Sequence, residues 1–422
     1  MLQSDEASSS NDICVVAIVG MGGIGKTTLA RLVYNDNRVK MSFDLKAWVC
    51  VSEKFDSFRI AKAILEEVTL SACDIQNLNL LQIRIRDTLT GKKFFLILDN
   101  VWNENYIDWE VLRNPFKAGA QGSRVIVTTR NESVASAMRT IATYPLQQLS
   151  EEDSWSLFAQ HAFHDGNSKA HPKLQVIGRQ IVKKCKGLPL AAKTIGALLR
   201  SKLDVDVWEK ILKSELWDLS NDGRNILPAL RLSYKYLPSQ LKPCFAYCSI
   251  FPKDYVFEKN LLILLWMAEG FLQQPKNKTM EEVGDDYFLD LVSRSLFQQS
   301  SSDKSAFVMH DLVNDLAKFV SGQFSFRLEG DYSHEIANKM RYLSYFRTRF
   351  DNFKKFEALY EAKQLRTFLP LKFPPKNEMF YLTKLVPHDL LPMLRCLRVL
   401  SLSHYSNMNE LPDSIGKIKH LR

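Results

Sequence analysis

The first residues, MLQSDEASSSND, are polar and Ser-rich and carry no apolar period, so residues 1–12 are expected to form a disordered leader. From residue 13 the pattern changes. Four apolar runs rich in β-branched and aromatic residues follow one another: Cys14–Val19, Leu45–Val51, Lys93–Leu98 and Arg124–Thr128. They read as buried strands, and the stretches between them suit helices. Strand alternating with helix predicts a parallel α/β sheet over residues 13–149.

Beyond Leu149 the pattern turns helical. Ser150, with Asp153 three residues on, forms a capping box that opens a helix running through Phe163. Helical spacing continues through Leu174–Cys185 and Pro189–Ser201, giving a helical module over 150–215. A second helical block runs from about Trp208 to Phe319. The short apolar piece Ser305–Met309, just before its last helix, has the character of a wing strand, which predicts a winged-helix module over 216–325. Residues 326–422 change once more. Leu397-Arg398-Val399-Leu400-Ser401-Leu402 fits the strand of a leucine-rich repeat, and Leu421-Arg422 restarts the same phase within the ~20–29-residue period of such repeats. Leu411, Pro412, Ile415 and Ile418 fill the return side, while Met340–Tyr345 and Leu365–Leu371 read as degenerate strands. A chain that stops on a repeat's opening Leu-Arg is expected to be a fragment or a shortened product.

Composition narrows the class. With 46% apolar and 24% charged residues, the 422-residue chain has the makeup of globular protein. The net charge of +9 permits a nucleic-acid or membrane-surface partner without arguing for one. Of seven scattered cysteines, Cys244 and Cys248 form the one close pair. Lacking a second Cys/His pair nearby, they read as buried thiols, and a reducing compartment fits. The N-terminus lacks the basic-then-apolar order of a signal peptide, and the longest apolar run, Leu261–Ala268, falls far short of the ~20 residues that span a bilayer.

The chemistry is concentrated in Gly20-Met21-Gly22-Gly23-Ile24-Gly25-Lys26-Thr27, which matches G-x-x-x-x-G-K-[ST] between a strand and a helical run. Glycines let backbone N–H groups turn inward around phosphate oxygens, and the helix N-terminus adds partial positive charge. Lys26 reaches the β- and γ-phosphates, and the Thr27 hydroxyl ligates Mg²⁺. A second acid for the metal belongs at the end of a neighbouring strand, where Phe94-Phe95-Leu96-Ile97-Leu98-Asp99 supplies it. The run Arg124–Thr129 ends in Arg130. If that strand lies between the P-loop strand and the Asp99 strand, Arg130 points at the γ-phosphate; otherwise it is a surface charge at a strand end. ATP or ADP with Mg²⁺ is therefore the expected cofactor.

These strings occur in one order with others: GMGGIGKTT, FFLILDNVW, GSRVIVTTR, GLPLA at 187–191, CFAYCSIFPKDY at 244–255 and MHDLV at 309–313. The series resembles the NB-ARC module of plant nucleotide-binding leucine-rich-repeat disease-resistance proteins, and Trp102 is similar to the coiled-coil-bearing branch. The resemblance covers roughly residues 13–320. It implies that Gly20, Gly22, Gly23, Gly25, Lys26, Thr27 and Thr28 hold the phosphates, that Thr27 and Asp99 hold Mg²⁺, and that Arg130 contacts the γ-phosphate. It further implies that Pro189 packs near adenine and that His310 approaches the β-phosphate of ADP as a latch. On the residues alone, His310 is an ordinary capping or core histidine, and Asp311 a cap for the helix that follows.

Two departures from the family pattern stand out. The family has two acids after its hydrophobic strand, whereas this chain has Asp99-Asn100, which places weak hydrolysis at most on the presumed catalytic position Asn100. The coiled-coil segment is not represented before the P-loop, and the repeats stop early. The resemblance implies an ADP-off, ATP-on switch of innate immunity in the cytoplasm, with attachment to the periphery of the plasma membrane left open. Its partners would be an effector or guarded host protein met through the repeats, and further copies of itself when ATP is bound. A turnover ATPase and a winged-helix DNA-binding regulator are the alternatives. Asn100 opposes the first. The acidic helix HDLVNDLAKFV opposes the second, and no nucleic acid is expected.

Overall fold

The computed structural model describes residues 13–51, 55–138, 141–163, 167–200, 202–218, 226–275, 277–300, 305–328, 338–371, 379–408 and 410–422; the expected leader, 1–12, lies outside them. The chain divides into two compact units, one of residues 1–150 with 186–190, the other of 151–185 with 191–422.

The first unit is built on strands β1 (Cys14–Val19), β2 (Leu45–Cys50), β3 (Phe94–Val101), β4 (Arg124–Thr129) and β5 (Ala142–Pro145). All pair in parallel, in the order β2-β3-β4-β1-β5. The run Phe94–Leu98 is buried throughout because both faces of the sheet are covered. Leu96, Leu98, Val125 and Val127 join Ile60 and Ile64 of the helix Ser57–Thr69 and Leu81 and Ile85 of the helix Leu78–Leu89. Phe95, Ile97 and Ile126 join Ala30 of the helix Lys26–Asn35 on the other face. The edge strand β5 carries no apolar run to announce it. Its Thr143, Tyr144 and Pro145 are exposed, and a proline is tolerated where no further strand needs its N–H. A second difference is more consequential. Strand β3 does not end at Asp99 but runs to Val101, with an irregular register between Leu98 and Val101.

The second unit opens with the helices Glu151–Ala162, Pro172–Lys184 and Val205–Leu212. Trp155, Phe158, Phe163 and Trp208 pack ring against ring between them. A winged-helix arrangement follows. Strands β6 (Val256–Glu258), β7 (Gln298–Gln299) and β8 (Ala306–Val308) form an antiparallel sheet in the order β6-β8-β7, beside the helices Lys259–Glu269, Met280–Ser293 and Asp311–Ser321. The expected wing strand is β8; β6 and β7 are too short to show a period. Cys244 and Cys248 are both fully buried, and burial drives the Cys248 thiol well above its ordinary pKa. Strands β9 (Ser325–Leu328), β10 (Tyr342–Phe346), β12 (Thr367–Leu371) and β14 (Val399–Leu400) then stack in parallel and in chain order, with a second parallel pair, β11 (Phe350–Asp351) and β13 (Tyr381–Leu382), beside them. The expected strand Leu397–Leu402 shortens to two residues. The backbone N–H of Arg422 nonetheless donates to Arg398 O at 3.0 Å, so the hydrogen-bond ladder continues where the phase restarts. No helix of the described residues is long and apolar enough to cross a membrane.

Candidate functional site

The out-of-sequence strand order gathers loops at the carboxyl ends of β1, β3 and β4, the place where open α/β sheets take ligands. The loop Gly20–Gly25 leaves β1 and enters the helix Lys26–Asn35. Gly23 (φ 77°) and Gly25 (φ 104°) both occupy the left-handed region that favours glycine, and Gly25 is the helix N-cap. The loop is tied down on three sides. Gly20 N donates to Thr129 O (3.2 Å), and Lys26 Nζ donates to Gly20 O (2.7 Å) and Met21 O (3.0 Å). The third tie comes from 186–190: Leu190 N donates to Gly23 O at 3.2 Å, and a Cβ on Gly23 would stand 2.8 Å from that of Leu190. The turn carrying Pro189 thus sits directly on the loop, with Pro189 as the first residue of the helix Pro189–Leu199.

Lys26 and Thr27 are half-buried and Thr28 is exposed. Thr27 Oγ1 donates to Asp99 Oδ1 at 3.0 Å, which joins the loop to β3. Asp99 is 6% exposed and also accepts from Thr128 Oγ1. A hydroxyl and a carboxylate this close form an all-oxygen donor pair of the kind Mg²⁺ takes beside phosphates and water. The residues therefore fit the metal. Glycine N–H groups at a helix N-terminus likewise fit a phosphate chain.

Strand β4 does lie between β1 and β3, and Arg130 follows its last residue, Thr129. Its guanidinium carbon stands 4.7 Å from the centroid of the Trp102 ring. Asn100 sits in the bulge of β3 at φ 62°, a left-handed conformation that Asn tolerates better than most residues. Its N–H donates to Thr128 Oγ1 (2.9 Å), and its Oδ1 accepts from Trp102 Nε1 (2.9 Å). Thr128 lies within the GSRVIVTTR string, but nothing in the sequence gives it a role at the site. A hydroxyl in an otherwise aliphatic buried strand is the signal that marks it, because such a group needs a partner.

His310 belongs to the second unit. It, rather than Asp311, is the N-cap of the helix Asp311–Ser321: Nδ1 accepts from Leu312 N at 3.1 Å, and Asp311 is the first residue inside. An imidazole that accepts at Nδ1 carries its proton at Nε2.

Residues 4–168 match the NB-ARC domain family, and residues 250–317 match the disease resistance protein winged helix domain. The chain is 48% identical over 99% of its length to the RPP13-like protein 1 of Arabidopsis thaliana, and 42% identical over 99% to disease resistance protein RGA2 of Solanum bulbocastanum; it spans 40% of the length of each. Among solved structures, a Signal Transduction ATPase with Numerous Domains protein from Pyrococcus horikoshii matches 74% of this chain and 41% of its own at 20% identity and a TM-score of 0.42. An NB-ARC domain, a winged helix and relatives of one kind along the whole chain have a single reading: the protein belongs to the plant NB-ARC disease-resistance family.

Proposed function

We propose that this chain is the nucleotide-controlled switch of a plant immune receptor, held off with ADP and turned on with ATP. The observation that carries the reading is the 3.0 Å contact between Thr27 Oγ1 and Asp99 Oδ1, which unites the phosphate loop with a metal-side acid in a chain of this family. In this reading the N–H groups of Gly20–Gly25 and the Lys26 ammonium neutralise the phosphates, while Thr27 and Asp99 hold Mg²⁺. Bound Mg²⁺ would supply charge neutralisation at the β- and γ-oxygens. Thr28 adds a donor at the helix N-terminus, and Pro189 packs beside adenine. Arg130 reads the presence of the γ-phosphate. His310 donates from Nε2 to the β-phosphate of ADP and latches the winged helix in the off state.

Asn100 stands where the family carries its second acid. A neutral amide is a very poor base, and general-base assistance is typically worth ~10²–10⁴-fold, so hydrolysis is slow and the on state long-lived. The parallel strands β9 to β14 serve as the first leucine-rich repeats, through which an effector or guarded host protein is met. The ATP-bound form assembles with copies of itself in the cytoplasm. The division of the chain into residues 13–149, 150–215, 216–325 and 326–422 belongs to the same reading.

A ligand at a thousand times its Kd stabilises its preferred state by ~4 kcal/mol, enough to move a latch. Limited proteolysis in saturating ADP and in saturating ATP, each with Mg²⁺, tests the reading. Protection in ADP and new cleavage sites in ATP are expected. Identical patterns with both nucleotides bound would remove the switch.

A further inference from the structure

We infer that Trp102 is the platform that aims Arg130 at the terminal phosphate of bound ATP, and that Asn100 is the strut that fixes the platform. The inference rests on the reading of Arg130 as the group that meets the γ-phosphate and deepens it by naming what holds that group.

The geometry originates in the backbone. A bulge re-aims the side chains beside it, and β3 is irregular between Leu98 and Val101. The bulge puts Asn100 at φ 62°, where Thr128 Oγ1 accepts its N–H. The amide side chain is thereby directed at Trp102, whose Nε1 donates to Asn100 Oδ1 at 2.9 Å. With one edge of the indole pinned, its face is fixed. Arg130 lies over that face, its guanidinium carbon 4.7 Å from the centroid. Arginine above an indole is the favoured form of cation–π contact, and a planar guanidinium can present its N–H edge to an oxyanion while its face is stacked. The loops that follow β3 and β4 are joined again next door, where Asn131 Nδ2 donates to Glu104 Oε1 at 3.2 Å.

Arg130 leaves β4 between the P-loop strand and the Asp99 strand, so orienting its fork decides whether it meets the last phosphate. A flexible side chain ordered in advance loses less entropy on binding. The arrangement also gives Asn100 work that needs no proton transfer. An amide oxygen can accept from the indole, as a carboxylate oxygen would, and it adds no negative charge beside the phosphates. On this account position 100 orients an aromatic ring, and Trp102 is a positioning residue acting through Arg130.

The test is the ratio of affinities for the β,γ-imido analogue of ATP and for ADP, measured by calorimetry with Mg²⁺ on the purified chain. Trp102→Leu is expected to weaken the ATP analogue about tenfold and ADP less than twofold, because ADP has no γ-phosphate for Arg130 to meet. Trp102→Phe keeps a π face and should recover most of the loss. Arg130→Ala should show the same selective loss, and Arg130→Ala combined with Trp102→Leu should be no worse than Arg130→Ala alone, as expected of two residues acting in series. A selective loss in Arg130→Ala with an unchanged ratio in Trp102→Leu overturns the platform and leaves the phosphate reading standing. An unchanged ratio in Arg130→Ala overturns the phosphate reading itself. Equal weakening of both nucleotides in Trp102→Leu makes the ring a packing residue and overturns the platform.

Discussion

The larger parallel sheets of the two units put their polar residues to different uses. In the first unit the order β2-β3-β4-β1-β5 departs from chain order, so connections leave neighbouring strands in opposite directions and a crevice opens at the carboxyl ends. Lys26 and Thr27 open the helix that follows β1, Asp99 lies near the carboxyl end of β3, and Arg130 follows β4. In the second unit the strands β9, β10, β12 and β14 follow chain order, and no such reversal exists among them. There the conspicuous polar residues mark the strand starts. Arg341, Arg366, Arg398 and Arg422 succeed one another along a backbone ladder, each N–H donating to the carbonyl of the previous arginine or, for Arg341, of Phe324. Arg398 donates from its guanidinium to the Glu269 carbonyl, so these cations meet the C-terminal end of the helix Lys259–Glu269, where the helix dipole favours them.

Each unit also buries a carboxylate. Asp99 accepts from two hydroxyls, one of them on the phosphate loop. Asp351, 1% exposed, accepts from Lys355 Nζ at 2.5 Å, from the backbone N–H of Thr348 at 3.1 Å and from the Tyr405 hydroxyl. A buried acid bonded to an ammonium is part of the scaffold. One bonded to the hydroxyl of a phosphate loop is, in the proposed function, placed for a ligand. Burial alone does not separate them; partners and topology do.

The largest expected effect breaks or sustains that distinction. Asp351→Ala leaves the half-buried Lys355 ammonium, among the described residues, only the Phe346 carbonyl as a hydrogen-bond partner and should cost about 3 kcal/mol of stability. Asp99→Ala leaves two hydroxyls behind and should cost about 1–3 kcal/mol, while abolishing the stabilisation that MgADP gives the wild type. Thermal melts of both variants with and without MgADP check the pair. Retained MgADP stabilisation in Asp99→Ala would make Asp99 a scaffold acid like Asp351.

A smaller effect is expected from Gly23→Ala. The added Cβ meets Leu190 at 2.8 Å in a left-handed backbone, which should cost about 1–3 kcal/mol and weaken ADP through the distorted loop. Gly416→Ala in the second unit meets nothing within 4 Å and should stay within about 0.5 kcal/mol. Denaturant midpoints and ADP titrations on both variants measure the contrast.

The smallest effect concerns pH. Burial raises the Glu269 carboxyl above its ordinary value of 4.5, and Thr367, Arg398, Arg366 and Arg422 only partly oppose it. A raised folded pKa contributes stability below the unfolded pKa that is lost as pH climbs through the folded one. Glu269→Gln removes that titration. Its stability relative to wild type should therefore rise as pH is taken upward from 4.5, in a series of melts across that range. A difference that stays flat with pH would show that the carboxyl does not titrate differently in the folded unit.

Much of the first unit is legible in the amino-acid order alone. The phosphate loop and Asp99 declare themselves because glycine spacing and an apolar run ending in Asp are local signals. The buried strands of the first sheet are legible for the same reason, since burial on both faces leaves continuous apolar runs. Strand β5 is not, because an exposed edge carries no run. The bulge at Asn100, the Thr128 hydroxyl beneath it and the Trp102–Arg130 stack depend on which strands become neighbours, and no local window holds that information. Glu269 in the last turn of an apolar helix looks like a solvated charge until the arginine ladder arrives from more than one strand.

In the proposed function, Gly20–Thr27 binds adenine nucleotide through Lys26 and Mg²⁺. Its most direct test is a calorimetric titration of ADP with Mg²⁺ into the purified chain and into Lys26→Ala. One ADP per wild-type chain is expected, with an affinity at least about a hundredfold lower in the variant, which loses both the charge on the phosphates and the two hydrogen bonds that close the loop on Gly20 and Met21. Equal affinity in the two proteins, or no binding by a folded wild type, would contradict it.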